Sequence, residues 1–232
     1  MKDLEFLKTN YISNKGIYNN QNIFENTLGA FDLALKKNLI INLELRLTKD
    51  KVIVVYNDSD LTRLMHLKDK ISSSTYEELL YLNKYHIPSI EEVLNLINGK
   101  VPIIINPKTL ECKNHLQKEL VKLLDNYPGK FVIISSNSLI IRWYNKNRPN
   151  YIVGEIMSKS RKLKKFNLLN YLINFTIISD FISIDIEYYN IIKMKKIKEE
   201  TLLLGYIADT KEKYDKYKDV TDNLYIEKIF YE

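Results

Sequence analysis

Short apolar, β-rich runs alternate along this chain with segments whose apolar residues recur every three or four positions, and that alternation restricts the fold more than any other feature. The strand candidates are Tyr11–Ser13, Ile40–Leu47, Pro102–Asn106, Phe131–Ser135, Tyr151–Ile156, Phe181–Asp185, Leu202–Ile207 and Asn223–Glu227. Between them Thr27–Lys37, Asn114–Asn126, Ser138–Asn147, Lys162–Asn174, Tyr189–Glu200 and Lys211–Tyr217 carry helical spacing. Eight strands joined by helical crossovers close most simply into a (β/α)8 TIM barrel of the α/β class. The 232 residues suit one such barrel, so residues 1–232 are read as a single domain. The second connection is longer than one crossover requires. It holds a hairpin-like Val52–Tyr56 and helical patterns at Thr75–Leu82 and Ile90–Ile97, and is read as an insertion between strands 2 and 3.

In a barrel of this kind the C-terminal strand ends and the loops after them build the site. That directs attention to Asn14–Gly16, Asn42, Glu44, Asn106–Lys108, Ser135, Ser136, Glu155, Asp185, Asp209 and Glu227. Ser135 and Ser136 have no histidine at triad spacing, which argues against a nucleophilic serine.

Four pieces of the chain then carry a resemblance. They are Glu25-Asn26-Thr27-Leu28-Gly29-Ala30-Phe31, Leu47-Thr48-Lys49-Asp50, Val54-Val55-Tyr56-Asn57-Asp58 and Ile87-Pro88-Ser89-Ile90-Glu91-Glu92-Val93-Leu94. In this order and spacing the chain resembles the glycerophosphodiester phosphodiesterase family. The resemblance implies a PLC-like phosphodiesterase barrel with one divalent cation on three carboxylates, two histidines as general acid and base, and an arginine and a lysine against the phosphate. Two of these pieces also have a local reading. Thr27 starts a helix with Glu25 and Asn26 near its positive end, and Ser89 with Glu92 makes a capping box.

The chain departs from the family where chemistry is expected. Asn14-Lys15-Gly16 stands at the first-strand His-Arg-Gly, Asn57-Asp58 at the His-Asp pair, Asn42 and Glu44 at the second-strand Glu and Asp, and Asn106 at the third carboxylate, with Lys108 kept. Asparagine does not titrate near neutral pH, so Asn14 and Asn57 cannot exchange protons as imidazoles do. Mg2+ or Ca2+ is expected only if the site still functions, because Glu44 with the amides of Asn42 and Asn106 makes a weak hard-cation site. Lys15 and Lys108 are expected to face the site unneutralised, where they would hold a phosphate-like anion, with Asp58 also at the substrate. His66 is weighed as a residue entering the site from the insertion against a surface or loop histidine, the reading preferred, and His86 and His115 are read as structural. Asp185, Glu187 and Glu155 are weighed as a relocated carboxylate set against ordinary rim residues.

Composition narrows the partners. The formal net charge of +6 suits several anionic partners without choosing one. The cluster Lys159, Arg161, Lys162, Lys164 and Lys165 is weighed as a surface for an acidic partner against a solvated helix start, the reading preferred. Trp143 and the 17 tyrosines form no alternating basic and aromatic face, so no nucleic-acid partner is expected. Polar residues interrupt the apolar stretch Leu168–Ile186, which is read as a helix and a buried strand with no transmembrane segment. The lone Cys112 and the charged start of the chain give a cytoplasmic expectation. Two functions follow: a catalytically impaired relative that binds a small phosphorylated or anionic ligand in lipid or surface-polymer metabolism, and a slow or altered phosphodiesterase working through Lys15, Glu44, Asp58 and Lys108.

Overall fold

The computed structural model describes residues 2–82, 86–108, 114–157 and 179–227. The expectations at Cys112, at the cluster Lys159–Lys165, at the helix Lys162–Asn174 and at the first part of the stretch from Leu168 lie outside the described residues. Nine strands are described: β1 (Ile12–Asn14), β2 (Ile40–Leu47), β3 (Ile53–Val55), β4 (Ile103–Pro107), β5 (Phe131–Ser135), β6 (Val153–Met157), β7 (Phe181–Asp185), β8 (Leu202–Ala208) and β9 (Asn223–Ile226). Their order is β1-β9-β8-β7-β6-β5-β4-β2-β3, and β1 also pairs with β2. Eight parallel strands therefore close into a barrel, and β3 hangs outside it as the antiparallel partner of β2. Among the described residues no helix is long and apolar enough to cross a membrane.

The chain forms two compact units, residues 15–130 and residues 1–14 with 131–232. In the first, α1 (Leu28–Lys36) is capped by Thr27, whose hydroxyl accepts from the Ala30 amide at 3.3 Å. The insertion follows β2. It turns back as β3, paired Leu45 to Val55 and Leu47 to Ile53, and continues through the short helices α2 (Thr62–Met65) and α3 (Tyr76–Leu82). The four-residue α2 carries no periodic pattern long enough to be seen in the sequence.

Next, α4 (Ile90–Ile97) begins with the expected capping box. Ser89 accepts from the Glu92 amide, and the Glu92 carboxylate accepts from the Ser89 amide at 2.8 Å. Ile90, Val93, Leu94 and Ile97, spaced three and four apart, put one apolar face of α4 into the core. Each such side chain contributes roughly 1.5–3 kcal/mol by leaving water. Parallel pairing of β2 with β4 sets Asn42 opposite Ile104 and Glu44 opposite Asn106, and α5 (His115–Leu124) follows.

In the second unit β5, β6, β7, β8 and β9 pair in parallel, with α6 (Ser138–Asn147) between β5 and β6, α7 (Ile191–Glu200) between β7 and β8, and α8 (Lys211–Tyr217) between β8 and β9. Its core gathers Ile184, Ile186, Met194, Leu203 and Leu224. Gly154 lies flat beneath Phe181, where any Cβ would enter the ring.

Candidate functional site

The first unit carries most of the site residues, and its backbone places them. Asn42, Glu44 and Arg46 occupy alternate positions of β2, so the first two share a face. Both are almost fully buried, and Asn106 lies across the ladder from Glu44. Lys108 follows β4, its amide donating to the Leu45 carbonyl at 2.9 Å, which directs the residue back over β2. Lys15 sits in the left-handed region at φ 65°, with its amide donating to the Asn42 carbonyl at 3.2 Å. Gly16 follows at φ +83°, and a Cβ there would lie 2.7 Å from the Ala30 carbonyl carbon, so only glycine fits the turn that brings Lys15 to β2.

These placements build an alternating ion network. Glu44 Oε1 is 2.9 Å from Lys108 Nζ, and its Oε2 is 4.0 Å from Lys15 Nζ. Lys15 Nζ also reaches Glu25 Oε1 at 3.2 Å. Arg63 clamps both Glu25 oxygens, at 2.6 and 3.0 Å, and its Nε donates to Asp58 Oδ2 at 2.6 Å. Asn57 Nδ2 completes the series by donating to Asp58 Oδ1 at 3.2 Å. Arg46 donates twice to the Asn57 carbonyl, at 3.0 and 2.7 Å, which fixes the main chain there.

This arrangement corrects one expectation. Lys15 and Lys108 do not stand unneutralised, because Glu25 and Glu44 pair with them and Arg63 balances the remaining charge with Asp58. In these ion pairs three carboxylates meet three cations, and Arg46 adds a fourth cation near Glu44 and Asp58. Glu25 also has a different role from the helix-end residue read in the sequence: it is 3% exposed and forms the centre of the network. Burial raises the Glu25 carboxyl, but the Arg63 hydrogen bonds and the Lys15 and Arg63 charges outweigh it and hold the group below 4.5. The same contacts, chiefly the hydrogen bond to Glu25, raise Arg63. Burial lowers Arg46 against the opposing charges of Glu44, Asp58 and Asp60.

A divalent cation does not fit these residues. Glu44 is the one carboxylate among the expected ligands, and its two oxygens already face ammonium groups that would repel the ion. Among the described residues no three His, Cys, Asp or Glu side chains cluster as a metal site.

Asn14 ends β1 in the second unit and is fully buried. Asp185 is raised, chiefly by burial, while Glu187 and Asp209 share the Lys213 ammonium and so are already engaged. His66 is the exposed left-handed cap of α2, and His115 begins α5. His86 Nε2 lies 2.7 Å from Glu92 at the capping box. Sequence reasoning passes over Arg46 and Arg63. The available signal is the need of a buried Glu25 for a cation, but Arg63 lies 38 positions away with no spacing rule to find it.

Known proteins resemble this chain in sequence and in fold. The chain is similar to a glycerophosphodiester phosphodiesterase of Bacillus altitudinis, 34% identical over 116 residues that cover 45% of this chain and 43% of that one. It is similar to one from Caldanaerobacter subterraneus subsp. tengcongensis, 28% identical over 167 residues, covering 64% and 66%. The chain thus spans less than two thirds of the length of these relatives.

Among solved structures, the Thermotoga maritima glycerophosphodiester phosphodiesterase superposes with a TM-score of 0.74 at 18% identity, covering 94% of both chains. An Oleispira antarctica phosphodiesterase, solved in complex with the product sn-glycerol-3-phosphate, gives 0.77 at 15%, covering 94% of this chain and 92% of that one. At such identity the likeness is one of fold. The model described as the glycerophosphoryl diester phosphodiesterase family matches residues 15–173, more than half of the chain and starting at the lysine that joins Glu25 to Glu44. On that match the chain belongs to the glycerophosphoryl diester phosphodiesterase family.

Proposed function

We propose that this protein binds a small phosphorylated or otherwise anionic ligand at Lys15 and Lys108, in lipid or surface-polymer metabolism, and hydrolyses phosphodiesters negligibly. The observation that carries the reading is the capture of Glu44 by two ammonium groups while asparagines stand at both expected histidines. Hydrolysis of a phosphodiester needs a proton removed from water and one delivered to the leaving alcohol. Without a positioned acid and base, each role forgoes roughly 10²–10⁴-fold in rate. What the residues retain is charge: Lys15 and Lys108 supply donors suited to phosphate oxygens, and Asn57 and Asp58 supply neutral and acidic hydrogen-bonding groups suited to hydroxyls. The Oleispira antarctica relative, which holds sn-glycerol-3-phosphate, supports a ligand of this class.

The test is turnover of glycerophosphocholine and of a chromogenic phosphodiester, with and without Mg2+ or Ca2+, beside calorimetry with glycerol 3-phosphate. Negligible turnover with weak, metal-indifferent binding is expected. A robust metal-dependent rate abolished by Glu44→Ala would overturn the reading in favour of an active phosphodiesterase.

A further inference from the structure

We propose that Glu44 is the resident counter-ion of the anion site, occupying the Lys15 and Lys108 ammonium groups in place of a ligand's phosphate and thereby setting how tightly anions bind. The inference rests on the anion-binding reading above and assigns Glu44 a role opposite to that of a metal ligand.

The two buried carboxylates of the network are held very differently. Glu25 accepts from Arg63 through both oxygens, accepts from Asn20 and pairs with Lys15. Glu44 is held by ammonium groups, at 2.9 Å through Oε1, and its buried Oε2 accepts no hydrogen bond among the described residues, with Lys15 Nζ 4.0 Å away. Glu44 is therefore the weakly held anion. Access differs in the same direction. The Glu44 side chain is 1% exposed while that of Lys108 is 28% exposed, so Lys108 is the member of the pair more open to an anion from solvent.

If Lys15 turns toward such an anion, Glu25 still keeps Arg63. The anion then competes with Glu44 for the two lysines and is repelled by it at close range. A carboxylate a few ångströms from a bound phosphate, in a site of reduced dielectric, opposes binding strongly.

The test is calorimetric titration of wild type, Glu44→Gln, Asn106→Asp and Lys108→Gln with inorganic phosphate and glycerol 3-phosphate, each with Mg2+ and with EDTA, folding being checked by circular dichroism. Glu44→Gln keeps the side-chain shape and removes the competing charge, so affinity should rise at least about tenfold and be indifferent to Mg2+. Asn106→Asp adds a second carboxylate opposite Glu44 and should weaken binding, a comparison that holds even if Glu44→Gln fails to fold. Lys108→Gln should lose binding.

Unchanged or weaker binding by folded Glu44→Gln would overturn the counter-ion role while leaving the anion-binding reading intact. Tighter binding by Asn106→Asp than by wild type in the presence of Mg2+ would overturn that role equally. Absence of anion binding by both wild type and Glu44→Gln would instead remove the anion-binding reading itself.

Discussion

Replacing Arg63 with methionine tests the network where the structure makes it strongest. Glu25 is 3% exposed and receives two Arg63 hydrogen bonds, at 2.6 and 3.0 Å. Stripping a partner from a fully buried ion pair costs about 3–5 kcal/mol. Here the loss is smaller, because the Arg63 side chain is 45% exposed and Glu25 keeps Lys15 and Asn20. Discounting for solvent screening leaves about 2 kcal/mol, or a Tm lower by about 4–8 °C for a chain of this size. The pH dependence gives a second reading. Glu25 titrates below its ordinary 4.5, so its contribution is complete above that value and is lost as pH falls through the lowered one. The gap between wild type and Arg63→Met in urea midpoint should therefore be widest near neutrality and shrink below about pH 4. Adding Glu25→Gln to Arg63→Met should recover part of the loss, since no buried carboxylate then lacks its clamp. A Tm within about 1 °C of wild type, or a gap that does not change with pH, would refute the reasoning.

Gly16→Ala should cost about 2 kcal/mol or more in chemical denaturation, because φ +83° is strained for alanine and its Cβ would meet Ala30 at 2.7 Å; an unchanged midpoint would sink the argument. The Glu92 carboxyl is held at about 2, because the Ser89 amide, Tyr76, His86 and the Ser89 hydroxyl outweigh the burial that raises it. Since the Glu92 side chain is 39% exposed, its protonation should remove only about 1 kcal/mol, present above 4.5 and lost as pH falls toward 2, a loss missing in Glu92→Ala during acid titration by circular dichroism. Gly154→Val should displace the Phe181 ring and destabilise by about 1–3 kcal/mol, read from the urea midpoint.

How far the sequence speaks depends on the range of the physics. Buried parallel strands write themselves as apolar runs, so β2, β5 and β7 stand at the residues the pattern names, and the Ser89–Glu92 cap lies within one helical turn. The β3 hairpin is visible for the same local reason. The network is not. Asn57 and Asp58 can be read as site residues, but nothing in their spacing tells that Arg63 will hold Asp58, that Arg46 will hold the Asn57 carbonyl, or that Glu25 will bind Lys15. Arg63 meets Glu25 only after the insertion folds back. The left-handed turn at Lys15 is likewise hidden, since Gly16 announces a turn but not which preceding side chain it aims at Glu25.

The alternation from Lys108 through Glu44, Lys15, Glu25 and Arg63 to Asp58 also limits the routes by which this chain can change. Each interior member balances a neighbour on either side, so replacing Glu44, Lys15 or Glu25 alone leaves an odd charge in a place shielded from water. Viable histories at these positions therefore proceed by coupled pairs, a lysine lost with its glutamate or an aspartate gained with its arginine. A family-type carboxylate introduced alone at Asn106 would face Glu44 and have to share Lys108 with it, and becomes tolerable only with a further positive charge beside the pair. The order of substitutions, as much as their number, separates this chain from a restored family site.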